Sequence, residues 1–315
     1  MRNLKIRLSA VLIIVIFLIA AISLTANAVG VRLNDWIYEA AGLVEDTEIL
    51  DDVRIALIDT GISTKRIDPE RLEPGKNYVF DGADTEDLDG HGTRIASLIL
   101  GCTNEKGTLQ PTAPNAKLIP LAYHSRYPSG VPKNGGIEAI CQAIYDAVDV
   151  YQCKIINISS GIIIHDERLE AAVAYAEEHN VIIVSAAGND NLRSPERQYY
   201  PAAYDTVVGV GAINSLLEPT KFSQRNNVMI YAPGENISAV SIKNSKVFET
   251  ISGTSYAAAF VSALAANMLG RYPEMTPEDF RETLKNSADG QINFQNAFNY
   301  YEGFIKNQKE TENNE

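Results

Sequence analysis

Four residues of this chain carry side chains that could together cleave an acyl bond: Asp59, His91, Asn189 and Ser255. A serine hydroxyl is a weak nucleophile at neutral pH. It becomes effective when an imidazole accepts its proton and a carboxylate orients that imidazole and stabilises its charged form. The oxyanion that results needs hydrogen-bond donors already in place. Asn189 offers a side-chain amide, and the backbone N–H of Ser255, at the start of a helix, offers a second donor. Each residue alone has an ordinary reading. Asp59 and Asn189 suit turns, His91 suits packing or capping, and Ser255 suits an N-cap. Their joint placement at the ends of elements points to chemistry.

The elements follow from hydrophobic pattern. "VRIALID" (53–59) is a short apolar run that ends in Asp59 and meets Thr-Gly, a buried strand entering a turn. His91 opens the helical spacing of "GTRIASLILG" (92–101), and Ser255 opens the Ala-rich run 256–269. Residues 116–123, 154–159, 181–189, 206–213 and 228–234 read as strands. Residues 136–148, 166–180 and 277–288 read as helices. "ISAVSIKNSKVFETIS" reads as a hairpin turning at Asn244-Ser245. Strands alternating with helices imply an α/β fold of three layers, a mostly parallel sheet with helices on both faces. Ligands then bind at the C-terminal strand ends, which flags Asp59, Asn189 and Ser159.

Composition narrows the function. The formal charge of −13 opposes binding to a phosphate backbone, so no nucleic-acid partner is expected. A hydrophobic content of 45% is enough to fill a core. "MRNLKIR", an apolar run from Ala10 to Leu24 and Ala26-Asn27-Ala28 follow the order of a secretory signal peptide, residues 1–28. The alternative is an uncleaved membrane anchor through residues 8–26. Either places the bulk of the chain in a secreted or extracytoplasmic location. Cys102, Cys141 and Cys153 leave at least one thiol unpaired. A helix starting near Gly136 would separate Cys141 from Cys153 by roughly 18 Å, beyond disulfide reach. All three are expected to be free or buried, with no Cys-x-x-Cys metal site.

"ALIDTGIS" (56–63), "DGHGTRIAS" (89–97), "SAAGND" (185–190) and "SGTSYAAAFVSALAA" (252–266) resemble the four signature blocks of the subtilisin-like serine proteases. The resemblance implies the subtilisin-like version of the three-layer fold over residues 53–303. It also implies a triad of Asp59, His91 and Ser255 with Asn189 as the oxyanion amide, and chemistry that needs no cofactor. Ser159, Ser160 and Gly161 are similar to the family's edge strand for an extended peptide, and Ala187 and Gly188 to the wall of the pocket for the residue before the cut. Backbone pairing of that kind reads extended chain with little side-chain demand.

The chain departs from the family pattern in several places. Arg94 stands where a second His is usual. Tyr256, Ala259 and Phe260 stand where Met and a Pro-His pair are usual. Only residues 29–52 separate the signal from the domain, too few for a pro-segment of the usual size. Unaided folding, a short inhibitory plug and a helper acting in trans are the three readings, the first being favoured. The loop "CTNEKGTL" (102–109) matches a calcium loop of relatives and Asn104 is a candidate ligand, but Lys106 sits in its middle and no Asp does, so a structural Ca²⁺ is left open. Residues 304–315 read as a polar, disordered tail. Asp190 at the pocket rim and Tyr199 at its floor suggest cleavage after small or basic residues.

The expected protein is a monomeric, exported serine endopeptidase acting on polypeptide, with processing of a leader peptide or pro-protein favoured. Its activity is expected to fall as His91 protonates, near pH about 6.5. The rival expectation is a catalytically impaired subtilisin-like module that holds peptide in the same cleft.

Overall fold

In the computed structural model, residues 33–43, 52–127, 129–287 and 289–312 are described. Helix α1 (Asp35–Ala40) precedes strand β1 (Val53–Asp59), β2 (Lys76–Asn77) and helix α2 (His91–Leu100). Then come β3 (Cys102–Asn104), β4 (Gly107–Leu109), β5 (Ala116–Ala122), β6 (His124–Arg126) and β7 (Pro132–Asn134). Helix α3 (Gly136–Asp149), β8 (Ile155–Ile158), α4 (Glu167–Glu178), β9 (Ile182–Ala186), β10 (Val208–Ile213) and β11 (Ile230–Pro233) follow. The hairpin β12 (Ile237–Val240) and β13 (Phe248–Ile251) leads to helices α5 (Thr254–Arg271), α6 (Pro277–Ser287) and α7 (Phe294–Glu312).

The main sheet has seven strands in the order β11-β10-β9-β8-β1-β5-β2, all parallel. Apart from the short edge strand β2, the strands are largely apolar on both faces, as a doubly covered sheet requires. In β1, Val53, Ile55 and Leu57 face one core with α2, α5 and α6, while Ala56 and Ile58 face a second core with α3 and α4. That two-residue alternation is what makes three layers. The parallel register Ile55↔Ile155 and Ile155↔Ile182 brings the C-terminal ends of β1, β8 and β9 side by side.

Helix α5 runs through the first core with every residue from Thr254 to Gly270 buried. A helix that is apolar on all sides must lie in the interior. It continues unbroken past Ala259 and Phe260, so the absence of Pro leaves a straight run behind Ser255.

Several expectations change. The segment 29–52 is, in its described part, packed into the domain. Ile37 and Ala41 are fully buried, and the Asn34 side chain both accepts from Ser238 N (2.8 Å) and donates to Ser238 O (2.9 Å). Leu33 N donates to Thr108 O, Tyr38 Oη to Gln110 O, and Phe294 N to Ala41 O. None of these partners is a candidate site residue. The tail expected to be disordered from 304 is helical to Glu312, because Phe304 and Ile305 pack on the core and carry α7 outward. The loop 102–109 is the β3–β4 hairpin, with Asn104 Oδ1 accepting from Lys106 N in its turn. All three cysteines are free. The signal or anchor, residues 1–28, lies outside the described residues. Among those described, no helix is long and apolar enough to cross a membrane.

Candidate active site

Asp59 is the last residue of β1 and is 2% exposed. Both of its oxygens lie against His91 Nδ1, at 2.8 and 2.9 Å, and Thr60 N donates to Oδ1 at 2.8 Å. A carboxylate that accepts from Nδ1 fixes the tautomer and leaves Nε2 as the proton acceptor. Burial of the ring opposes its charging, but the Asp59 carboxylate outweighs that, and the His91 pKa is raised above the ordinary imidazole value.

His91 is the first residue of α2, and the turn before it is tied down by Asp87. Asp87 is 3% exposed and accepts from Asp89 N (2.9 Å), Gly90 N (2.7 Å), Thr93 N (2.9 Å) and Thr93 Oγ1 (2.6 Å). Gly90 N and Thr93 N, at the start of the helix, lack intrahelical acceptors, so one buried carboxylate ties the turn before His91 to the first turn of the helix that presents the imidazole.

Ser255 is the second residue of α5, after Gly253 as N-cap, so it is not itself the cap. Its Oγ donates to Ser159 O at 2.8 Å, while Ser159 Oγ donates back to Ser255 O at 3.0 Å. Behind them, Asn157 Nδ2 donates to Ser159 Oγ (2.8 Å) and Ser262 Oγ donates to Asn157 Oδ1 (2.9 Å). This buried chain pins the first turns of α5 to the end of β8. A buried polar network of this kind holds only when its members are satisfied, which fixes the geometry.

Asn189 lies three residues past β9. Its Oδ1 accepts from Thr254 N (2.9 Å) and Thr254 Oγ1 (3.1 Å), and Thr254 Oγ1 accepts from Gly188 N (3.2 Å). With the carbonyl end held, the amide Nδ2 is the end free to donate.

Ser159, Ser160, Gly161, Gly188, Asn189 and Ser255 line one cavity, together with Asp190, Tyr199, Thr254 and Ala186. Ala187 is absent from that lining. It is 2% exposed and its N donates to Val210 O, so it serves the sheet, and Ala186 takes the wall position. Asp59 and His91 are joined directly, and the His91 ring lies 5.7 Å from the ring of Tyr256, the residue after Ser255. The Ser255 hydroxyl is turned to Ser159 O.

Two departures from the expected pattern form one cluster. Arg94 Nε donates to Glu249 Oε2 at 3.0 Å and lies beside the Tyr256 hydroxyl, and Glu249 accepts from Ser241 Oγ. The Arg94 cation pulls the His91 pKa down, against Asp59. Among the described residues no group of three His, Cys, Asp or Glu side chains could hold a metal.

The sequence pattern of the subtilase family matches residues 51–306. The chain belongs to the subtilase family of serine proteases. It is 30% identical over 256 residues to Subtilisin DY of Bacillus licheniformis, a match covering 81% of this subtilase and 89% of that protein. It is 33% identical over 244 residues to the Major intracellular serine protease of Bacillus subtilis strain 168, covering 75% and 73%. Among solved structures it resembles the serine protease MycP1, an essential component of the type VII (ESX-1) secretion system, at a TM-score of 0.70 and 26% identity, covering 85% of this chain and 88% of that one. A lanthipeptide protease shares the fold at a TM-score of 0.70 and 22% identity, covering 85% and 95%.

Thr254, Asn157, Ser262 and Asp87 are functional neighbours that the sequence reading missed. The available signals were a polar residue inside the apolar strand "KIINIS", a Ser inside "FVSALAA", and an Asp three residues before Gly90.

Proposed function

We propose that this subtilase is an exported endopeptidase in which Asp59, His91 and Ser255 form the triad and Asn189 donates to the oxyanion. The observation that carries the reading is the Asp59–His91 pair, with both carboxylate oxygens on Nδ1 and the ring beside the residue that follows Ser255. Ser255 Oγ releases Ser159 O, rotates toward His91 Nε2 and attacks the peptide carbonyl. His91 takes the hydroxyl proton and passes it to the leaving amine. The acyl-enzyme is then hydrolysed by water with His91 again as base. Asn189 Nδ2 and the Ser255 N–H receive the developing negative charge. The chemistry uses no cofactor. Ser159 to Gly161 pair with the extended substrate, and Gly188 flanks the pocket.

Export rests on the order of charges, apolar run and small residues in 1–28. One relative is by name intracellular, so the family alone does not decide the compartment. A monomer that processes a leader peptide or pro-protein is the form proposed.

A fluorophosphonate probe tests the core of this reading. Covalent labelling of Ser255, lost in Ser255→Ala, is expected. Absence of labelling on folded protein would favour the second reading, a peptide-holding module, for which the engagement of Ser255 Oγ by Ser159 O speaks. Mass spectrometry of the same sample gives the mature N-terminus and checks removal of 1–28.

A further inference from the structure

The wall and floor of the cavity beside Ser255 contain a feature that bears on which peptides fit. Gly188 holds φ +110°, and a Cβ added there would fall 2.3 Å from Tyr199 Cδ2 and 2.6 Å from Cε2. The Tyr199 ring therefore lies directly on the Gly188 backbone. On the opposite wall, a Cβ added to Gly161 would fall 3.2 Å from Tyr199 Cβ and 3.4 Å from its Cδ1. Tyr199 thus bridges the two strands of backbone between which a substrate side chain would have to enter.

The segment that carries the ring is held there from several directions. Ile162 N donates to Tyr200 O (2.9 Å) and Tyr200 N to Ile162 O (2.8 Å), which couples the segment carrying Tyr199 to the wall carrying Gly161. Ala203 N donates to Tyr199 O at 2.9 Å. Arg197 lies beside the Tyr199 hydroxyl, and its own carbonyl accepts from Gln224 Nε2 at 2.6 Å. The backbone of Tyr199 is thus fixed on two sides, and Arg197 at its hydroxyl ties the ring down as the floor.

The rim charge is also spoken for. Asp190 forms an ion pair with Arg197. A carboxylate already matched by a guanidinium offers little to a lysine or arginine side chain, so the basic preference suggested by sequence loses its physical basis.

We propose that Tyr199 is a specificity-determining residue that restricts the position immediately before the cut to Gly, Ala or Ser. This rests on the reading of Ser255 and Asn189 as the reacting centre, because that reading fixes which substrate residue enters beside them. Larger side chains meet the ring, and basic ones find no free negative charge. The substrate class is an extended polypeptide with a small residue on the acyl side of the scissile bond.

The test has a catalytic arm and a binding arm. In the first, unlabelled enzyme from a preparation in which a separate aliquot labels quantitatively with fluorophosphonate is assayed on tetrapeptide amides ending in Gly, Ala, Ser, Leu, Phe or Lys. Wild type is expected to favour Ala over Phe and Lys by about tenfold or more in kcat/KM, the scale on which pockets sense side-chain size. Tyr199→Gly is expected to shift preference to Leu or Phe, and Tyr199→Phe, which keeps the ring, to retain the small-residue preference. Arg197→Gln is expected to raise turnover of the Lys peptide by exposing Asp190. In the second arm, peptide acids ending in Ala or Phe are titrated against Ser255→Ala, where discrimination is read without turnover.

A wild type whose aliquot labels and whose unlabelled enzyme prefers Phe or Leu overturns the proposal, as does an unchanged profile in folded Tyr199→Gly and Tyr199→Ala. Protein that fails to label yet binds Ala peptides over Phe peptides would refute catalysis while supporting the pocket assignment. Protein that fails to label and binds Phe peptides at least as well refutes both.

Discussion

Replacing Thr254 by Val isolates how Asn189, the amide proposed to receive the oxyanion, is held. The hydroxyl of Thr254 is fully buried, donates to Asn189 Oδ1 at 3.1 Å and accepts from Gly188 N at 3.2 Å. Val preserves shape but removes both bonds. The Gly188 N–H is then left unpaired in the interior, which costs about 1–3 kcal/mol of stability. Asn189 keeps a single anchor, the 2.9 Å bond from Thr254 N. Losing one hydrogen bond's net worth, about 1.4 kcal/mol, in the orientation of a donor corresponds to about tenfold in kcat. Complete removal of such a donor costs about 10²–10³-fold and sets the ceiling.

The assay is kcat and KM on an Ala-ending peptide for wild type, Thr254→Val, Asn189→Ala and the double variant. If Thr254 acts through Asn189, the double variant is no slower than Asn189→Ala, and KM changes little throughout. Thr254→Ser, which restores the hydroxyl, should recover most of the rate. Strict additivity of the two losses in the double variant would refute the reasoning, since it would mean that Thr254 acts independently of the amide.

Four further outcomes are expected. The acid limb of kcat/KM should lie above the free-imidazole value of about 6.5, because Asp59 raises the His91 pKa and only the neutral ring accepts a proton. Arg94→Met should move that limb to still higher pH by removing a cation that favours the neutral ring, and a limb that stays put would contradict this coupling. Asp87→Ala strips the acceptor from three backbone donors and Thr93 Oγ1, so thermal melting should show a loss of at least about 2 kcal/mol; an unchanged melting temperature would deny Asp87 its anchoring role. Burial pushes the thiols of Cys102 and Cys153 up to about 12 and raises Cys141 as well, so iodoacetamide at pH 8 should leave all three largely unmodified until the protein is unfolded.

What the sequence made legible was local. Asp59 at the end of an apolar run, His91 at the start of a helical pattern and the hairpin about Asn244 were readable because periodicity and turn chemistry act over a few residues. What it hid was long-range pairing of polar groups. The Asn157–Ser262 bond and the Asn189–Thr254 bonds join positions far apart in the chain, and no local pattern names the partner. Arg197 neutralises Asp190 through a loop whose course no periodicity announces. The docking of residues 33–43 was hidden because their buried anchors, Ile37 and Ala41, lie in a stretch too short to name a partner. The extension of α7 was masked by a polar composition that describes a solvated helix face as well as it describes disorder.

Helix α5 joins two tasks in one element. Its apolar surround makes it a keystone of the first core, and its leading turn carries Ser255. A keystone cannot fray at one end while the arch stands, so the oxygen proposed to react inherits the rigidity of the whole domain. Motion needed for turnover must come from the loops around it. Heat should therefore silence this protein in a single collapse, with no gradual slackening of the nucleophile beforehand.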